Sequence, residues 1–207
     1  MKKLDLKKQW KDFYGTKAGA IVAVEVPPLT YLMVDGEGDP NTSQTYREAI
    51  EALYSLSYTL KFTLKKGPRA IDYGVMPLEG LWWADDLRDF GWAGRQANKS
   101  AWKWTAMILQ PDVIARSEVD AAFDEVRKKK NPAALDRVRF ETLTEGACAQ
   151  TLYLGPYSEE DPTIQRIHGF IHAAGKELRG KHHEIYLSDS RRIAPEKLKT
   201  IIRQPMG

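Results

Sequence analysis

One plan is written twice along this chain, and that duplication constrains the fold more than any other feature. Residues 23–38, AVEVPPLTYLMVDGEG, and residues 139–157, RFETLTEGACAQTLYLGPY, each carry an acid after an apolar residue (Glu25, Glu141), a turn-prone stretch, an apolar strand and a glycine turn. Before the glycine turns, Leu32 and Val34 are matched with Leu152 and Leu154, and Met33 with Tyr153. A helix follows each strand. In the first copy Ile50, Leu53, Tyr54, Ser57 and Tyr58 recur at helical spacing between about Ser43 and Lys66, with Asn41, Thr42 or Ser43 as cap and Gly67-Pro68 as stop. In the second copy Ile164, Ile167, Phe170, Ile171 and Ala174 form the stripe, and Ser158 or Asp161 caps it. Two further strands end each copy: DYGVMPLEGLWWAD and SAWKWTAMILQP, then HHEIYLSD and KLKTIIRQP.

The expected class is therefore α+β, with duplicated strand-helix-strand-strand units in a pseudo-twofold arrangement. Antiparallel sheets should carry helices on one face and a ligand groove on the other. Residues 1–17 are expected as a peripheral arm. Residues 18–206 are expected as one domain of two repeats, about 18–115 and 136–206, joined by a helical linker over 116–135.

Strand alternation assigns faces. It places Ile185 and Leu187 toward the helices, and Glu184, Tyr186 and Ser188 away from them. Leu32 and Val34 face the helix, and Tyr31 and Met33 face away. The acids of PLEGLWW (Glu79) and HHEIYLSDS (Glu184) then share a trough with aromatic rings. By parity Trp83 joins Glu79, and Trp102 and Trp104, two apart, share one face. A carboxylate among rings can meet a flat cation, or can exchange a proton near neutral pH if burial raises its pKa.

Other chemistries find less support. The 31 basic and 28 acidic side chains leave a net charge of +3, too little to indicate direct nucleic-acid binding. The single cysteine, Cys148, excludes a disulfide framework or a zinc quartet and is expected to be buried and inert. His168 and His172 have metal-ligand spacing on a helix, but nothing nearby completes a set, so no metal and no organic cofactor are expected. GEGDP and GWAGR lack the context of nucleotide loops. No signal peptide opens the chain and no apolar run could span a membrane, so a cytoplasmic protein is expected, as monomer or homodimer.

The stretches DYGVMPLEGLWWAD, FGWAGRQANKSAWKWTAMILQP, LYLGPYSEE and HHEIYLSDSRRIAPEKLKTIIRQPM resemble the GyrI-like small-molecule-binding proteins over about residues 18–206. The turn at 155–157 and the run at 184–189 are the most specific parts. The stand-alone subgroup carrying PLEGLWW is the nearest match, and no helix-turn-helix module is present. The resemblance implies a ligand groove between two pseudo-twofold units, with the central glutamate matched by Glu184. It implies diverse planar apolar or cationic ligands. Some stand-alone members are similar to cyclopropanoid hydrolases, which open the strained ring of DNA-alkylating compounds and so detoxify them. On that basis Glu184 orients or activates water, Tyr153 helps to position it, and Trp83, Trp104 and Tyr186 stack on flat rings. Glu79, Trp102, Tyr31, Met33 and Tyr157 complete the expected ligand-binding set. Non-catalytic multidrug binding or sequestration is the alternative, with gyrase-inhibitor-like action ranked last.

Overall fold

In a computed structural model of the protein, residues 2–86 and 98–207 are described. The GWAGR stretch lies outside them. A short first strand, β1 (Lys2–Leu4), and two one-turn helices, α1 (Leu6–Gln9) and α2 (Lys11–Tyr14), come first. The first repeat contains β2 (Val22–Val26), β3 (Leu29–Glu37), α3 (Gln44–Lys66), β4 (Ile71–Tyr73), β5 (Leu78–Trp83) and β6 (Lys103–Leu109). Helix α4 (Arg116–Lys129) links it to the second repeat: β7 (Arg139–Leu143), β8 (Gly146–Leu154), α5 (Asp161–Ala173), β9 (His182–Tyr186) and β10 (Lys199–Pro205).

One antiparallel sheet of eight strands runs in the order β2-β8-β10-β9-β5-β6-β3-β7. Reading outward from the middle, β5-β6-β3 mirrors β9-β10-β8, which is the pseudo-twofold expected from the duplication. The outermost strands are exchanged: β2 pairs with β8 of the second repeat, and β7 with β3 of the first. Each repeat thus gives the large sheet one strand more than the sequence pattern indicated, the first repeat adds β4 outside it, and the two expected sheets are one. β1 pairs in parallel with β4 in a separate two-stranded sheet.

Helix α3 begins where Ser43 accepts a hydrogen bond from the Tyr46 amide (3.2 Å) and stops at Gly67. Its apolar stripe, including Leu53, Leu56, Leu60 and Leu64, is buried. Each such leucine contributes about 1.5–3 kcal/mol by leaving water. α3 packs over β3 and β6, and α5 over β8 and β10, so the central strands β5 and β9 lie between the two helices. No helix among the described residues is long and apolar enough to cross a membrane.

The opposite face of the sheet is covered by the N-terminal segment. Expected as a peripheral arm, it instead buries Leu6 and Tyr14 and joins a network of interior polar groups. The Tyr14 hydroxyl donates to Glu79 at 2.6 Å. His183 meets Glu79 through Nε2 at 3.0 Å and Glu145 through Nδ1 at 2.9 Å. Arg203 donates to Glu145 at 2.9 Å, to Gln150 at 2.8 Å and to the Phe13 carbonyl at 3.2 Å. Gln150 in turn donates to the Asp12 carbonyl at 3.0 Å and contacts the Thr16 hydroxyl. Two carboxylates face two cations, so the charges balance, which interior ions need. Burial alone would lower His183, but Glu145 and Glu79 outweigh it and raise it to about 8. Burial alone would raise Glu145, yet His183 and Arg203 hold it at about 2.

The network therefore stabilises the fold over a bounded pH window. The raised His183 contributes fully below its ordinary value of 6.5 and loses its contribution as pH rises through about 8. The depressed Glu145 contributes fully above its ordinary 4.5 and loses its contribution as pH falls toward about 2. Denaturant unfolding is expected to show a decline on the order of 1–2 kcal/mol as pH rises through that alkaline step. His183→Gln is expected to remove this decline, and equal pH dependence in both proteins would contradict the assignment. Arg203→Met, which strands Glu145, is expected to cost about 3–5 kcal/mol, read by the same method.

Candidate functional site

Strand register decides which residues can meet. Residues directly opposite one another in an antiparallel ladder share a face. Glu184 lies opposite Ile202 on one side and Gly80 on the other. Ile202 packs with Ile164, Ile167 and Ile171 of α5, so Glu184 is on the helix-bearing face. Glu79 pairs instead with Ile185 and Met107, which places it on the face covered by the N-terminal segment.

The two acids therefore do not share a trough. Glu184, Tyr186, Trp102, Trp104, Tyr153 and Tyr157 belong to the helix side. Glu79, Trp83, Tyr31 and Met33 do not. Glu79 is fully enclosed by Tyr14 and His183. Tyr31 is buried, and burial followed by the charges of Glu79 and Glu145 pushes its hydroxyl well above the usual range. Met33 takes a weak contact from Arg139 at 3.9 Å. Trp83 receives the Lys181 ammonium 3.3 Å from its ring centre.

Both faces of the sheet are covered, so alternation separates them without saying which one carries the helices. In β9 the expectation was inverted: Ile185 faces the N-terminal segment, and Glu184 and Tyr186 face the helices. In β8 the match of Leu32 and Val34 to Leu152 and Leu154 is off by one residue, since Gly36 against Gly155 sets Val34 against Tyr153, and a one-residue slip exchanges the faces. Tyr153, not Leu152 or Leu154, packs with the α5 cluster, and Leu154 is half exposed.

Around Glu184 the side chains are arranged by close approaches. Trp104 is fully buried over Gly36, where an added Cβ would come within 2.3 Å of the indole. Tyr46, reaching down from α3, meets Trp104 edge-on at 4.9 Å and Trp82 at 5.8 Å. Trp82 meets Trp102 at 5.9 Å, and Lys99 lies over the Trp102 ring at 5.3 Å. The Trp82 indole N–H donates to the Tyr186 hydroxyl at 3.0 Å, and Glu184 stands two residues before Tyr186 on the same face of β9. Gly80 permits this approach: a Cβ there would lie 2.7 Å from the indole nitrogen and 3.1 Å from the Tyr186 oxygen. The glycine of PLEGLWW is thus a gap in the strand into which the Trp82–Tyr186 contact settles.

A second wall comes from the turn before α5. Tyr157 meets Tyr186 edge-on at 5.6 Å. The Tyr153 hydroxyl donates to the Pro156 carbonyl at 2.9 Å, so it holds the turn that carries Tyr157. Glu160 is the residue immediately before α5. Burial, and then the Glu184 carboxylate beside it, push Glu160 well above the ordinary carboxylate range. His182 Nε2 lies 3.3 Å from Glu184, off the line of a hydrogen bond. Behind it, burial and then His182 lower His168 to about 4, so His168 is neutral. Burial and then Glu184 raise Tyr46 and Tyr186, and burial and then Glu184 push Tyr157 up to about 12. All three therefore stay protonated as donors.

Sequence reasoning missed four of these residues. The parity argument selects Trp83 rather than Trp82, and nothing in the sequence pattern singles out Tyr46, Glu160 or His182. A correct β5–β9 register would have recovered Trp82 and His182. Cys148 is buried, and burial pushes its thiol up to about 12. Among the described residues no group of three or more His, Cys, Asp or Glu is placed to hold a metal ion. A concavity of about 630 Å³ lies between α3 and α4, bordered by Tyr54, Tyr58, Phe62 and Lys66 but not by Glu184, Trp82 or Trp102. The Glu184 side chain keeps about a tenth of its surface exposed, beside the partly exposed Trp102, Tyr157 and Tyr186. The acid and its rings, rather than that concavity, form the candidate site.

The family model of the GyrI-like small-molecule-binding domain matches residues 102–205. No protein of curated function matches the chain. Among solved structures, an uncharacterised conserved protein from Listeria innocua is 38% identical, with a TM-score of 0.87 over 99% of this chain and 100% of that one. A hydrolase encoded by lin2189 from Listeria innocua is 38% identical, with a TM-score of 0.85 and full coverage of both chains. The EcmrR C-terminal domain shares the fold alone, at 10% identity and a TM-score of 0.53 over 91% of this chain and 97% of that one. With its duplicated antiparallel sheet and this extent of similarity, the chain belongs to the GyrI-like small-molecule-binding family.

Proposed function

We propose that this protein binds planar apolar and cationic small molecules between α3 and α5, and adds water to the strained cyclopropane ring of DNA-alkylating compounds, detoxifying them. One observation carries the proposal. Glu184 shares a face of β9 with Tyr186, opposite Gly80, within the ring cluster of Trp82, Trp102, Tyr46 and Tyr157 on the strip of sheet between the helices. Aromatic rings supply stacking area to a flat ligand, and a single carboxylate supplies either a counter-charge or a proton acceptor. The hydrolase from Listeria innocua, similar over its whole length, supports the catalytic half of the proposal.

The chemistry asks little of the site. Glu184 accepts a proton from a water whose oxygen bonds to the cyclopropane methylene. The ring C–C bond breaks, and its electron pair enters the conjugated system, which takes up a proton. Ring strain supplies driving force, and a positioned general base contributes about 10²–10⁴-fold. Tyr153 acts at one remove, by fixing the turn that presents Tyr157 to Tyr186. Binding without turnover is the second reading, favoured by the ring-rich wall, which needs no chemistry to hold a ligand.

Incubation with a cyclopropanoid alkylator followed by mass spectrometry is expected to show a gain of one water. Glu184→Gln is expected to lower the rate at least about 100-fold while much of the affinity remains, as read by quenching of tryptophan fluorescence. Turnover unchanged in the variant would remove Glu184 from the reaction, and binding without hydrolysis by the wild type would leave the non-catalytic reading. Gly80→Ala, which crowds Trp82 and Tyr186, is expected to weaken ligand quenching about tenfold or more, on the order of 1.4 kcal/mol. Unaltered affinity would show that this contact does not shape the site.

A further inference from the structure

Glu51, Tyr54, Tyr58, Phe62 and Lys66 follow one another along α3 at steps of three or four residues, so their side chains form one row. The Tyr54 and Tyr58 rings stack at 6.2 Å, the Tyr58 and Phe62 rings at 6.4 Å, and the Lys66 ammonium lies 5.8 Å from the Phe62 ring centre. These contacts order the rings without taking them out of water: Tyr58 is 48% exposed and Phe62 45%. Exposed rings gathered in one row, rather than scattered singly, mark an interaction surface.

Helix α4 runs antiparallel beside α3. Arg69, just past the end of α3, pairs with Glu118 in the first turn of α4, and Arg137, beyond the end of α4, pairs with Glu48 near the start of α3 at 3.9 Å. The concavity between the two helices has the ring row on one wall and Glu125, Val126, Lys129 and Lys130 on the other. Lys129 is paired with Glu125 at 2.5 Å. Both signs of charge therefore stand on the rim, which favours neither a polyanion nor a polycation.

The row has a polarity. Glu51 stands seven residues before Tyr58 and Lys66 eight after it, with the rings between acid and base. Turned end for end, the same row complements itself: rings meet rings, and each Glu51 meets a Lys66. Laid parallel, it would set Glu51 against Glu51 and Lys66 against Lys66. An isologous contact needs a patch that complements itself about a two-fold axis, and this row does so in the antiparallel sense.

We propose that two copies of this chain associate along α3, antiparallel about a two-fold axis at Tyr58, each setting its ring row into the concavity between the other's α3 and α4. Tyr58 then meets its own mate, Tyr54 meets the partner's Phe62, and Glu51 meets the partner's Lys66. The two α3–α4 pairs close into a four-helix layer that buries the rings. None of this depends on what Glu184 does.

Sedimentation equilibrium is expected to give the mass of two chains for the wild type and of one chain for Tyr58→Glu, which sets two carboxylates against each other on the axis. The position is exposed, so circular dichroism of the variant is expected to match the wild type. Glu51→Lys and Lys66→Glu are each expected to weaken dimerisation about tenfold or more. The double variant is expected to recover most of it, which a merely local effect of either charge would not do. Tyr58→Cys is expected to give a disulfide-linked dimer on mild oxidation. Glu51→Cys is not, because a two-fold at Tyr58 holds the two copies of that position about 20 Å apart, beyond the reach of a disulfide. A monomeric wild type would leave the row to a different partner and overturn the proposal. So would a Tyr58→Glu variant as dimeric as the wild type, a double charge reversal weaker than either single one, or cross-linking at position 51 in preference to 58.

Discussion

The antiparallel pairing of β5 with β9 is the constraint on which the rest of the structure depends. It joins the two repeats at their pseudo-twofold, and its register puts Gly80 opposite Glu184 and Glu79 opposite Ile185. Side chains alternate across a strand, so this one pairing sends the two glutamates to opposite faces. It also brings Trp82 and Tyr186 together over the only residue type that leaves room for them. α3 and α5 then flank the seam on one side, and the N-terminal segment covers the other.

The two faces solve the problem of interior charge differently. On the covered face Glu79, Glu145, His183 and Arg203 neutralise one another, and the N-terminal segment supplies a hydroxyl and backbone carbonyls. Such a network anchors the chain end and has no group left over for a ligand. On the helix face, Glu184 and Glu160 lie among rings and hydroxyls, and among the described residues neither makes an ion pair with an Arg or Lys. This contrast separates Glu79, locked into an interior network, from Glu184, the acid of the candidate site.

The fold was legible because duplication, helix stripes and turn chemistry agree at every level. Ser43 and Gly67 marked the ends of α3 to within a residue, but of its expected stripe only Leu53 and Ser57 are buried and Tyr58 is exposed, because the buried face is centred on Leu53, Leu56, Leu60 and Leu64. The exchanged edge strands β2 and β7 were not legible, because nothing local distinguishes pairing within a repeat from pairing across repeats. Glu184 was legible as a candidate through the run around it, and parity correctly put Tyr186 on the same face. Glu79 misled because an acid in an apolar strand looks alike whether it serves a ligand or an interior His183. That difference is set by Tyr14, which lies 65 residues away in sequence. Glu160 was hidden for the opposite reason: an acid before a helix has an ordinary explanation in the helix dipole.

Amide and side-chain NMR mapping during titration with a flat monocation such as ethidium tests most directly whether Glu184 anchors the ligand between α3 and α5. The account predicts that the largest perturbations fall on Glu184, Tyr186, Trp82, Trp102 and Tyr157. Perturbations centred on Tyr58 and Phe62, in the concavity between α3 and α4, with the Glu184 region unmoved, would contradict it.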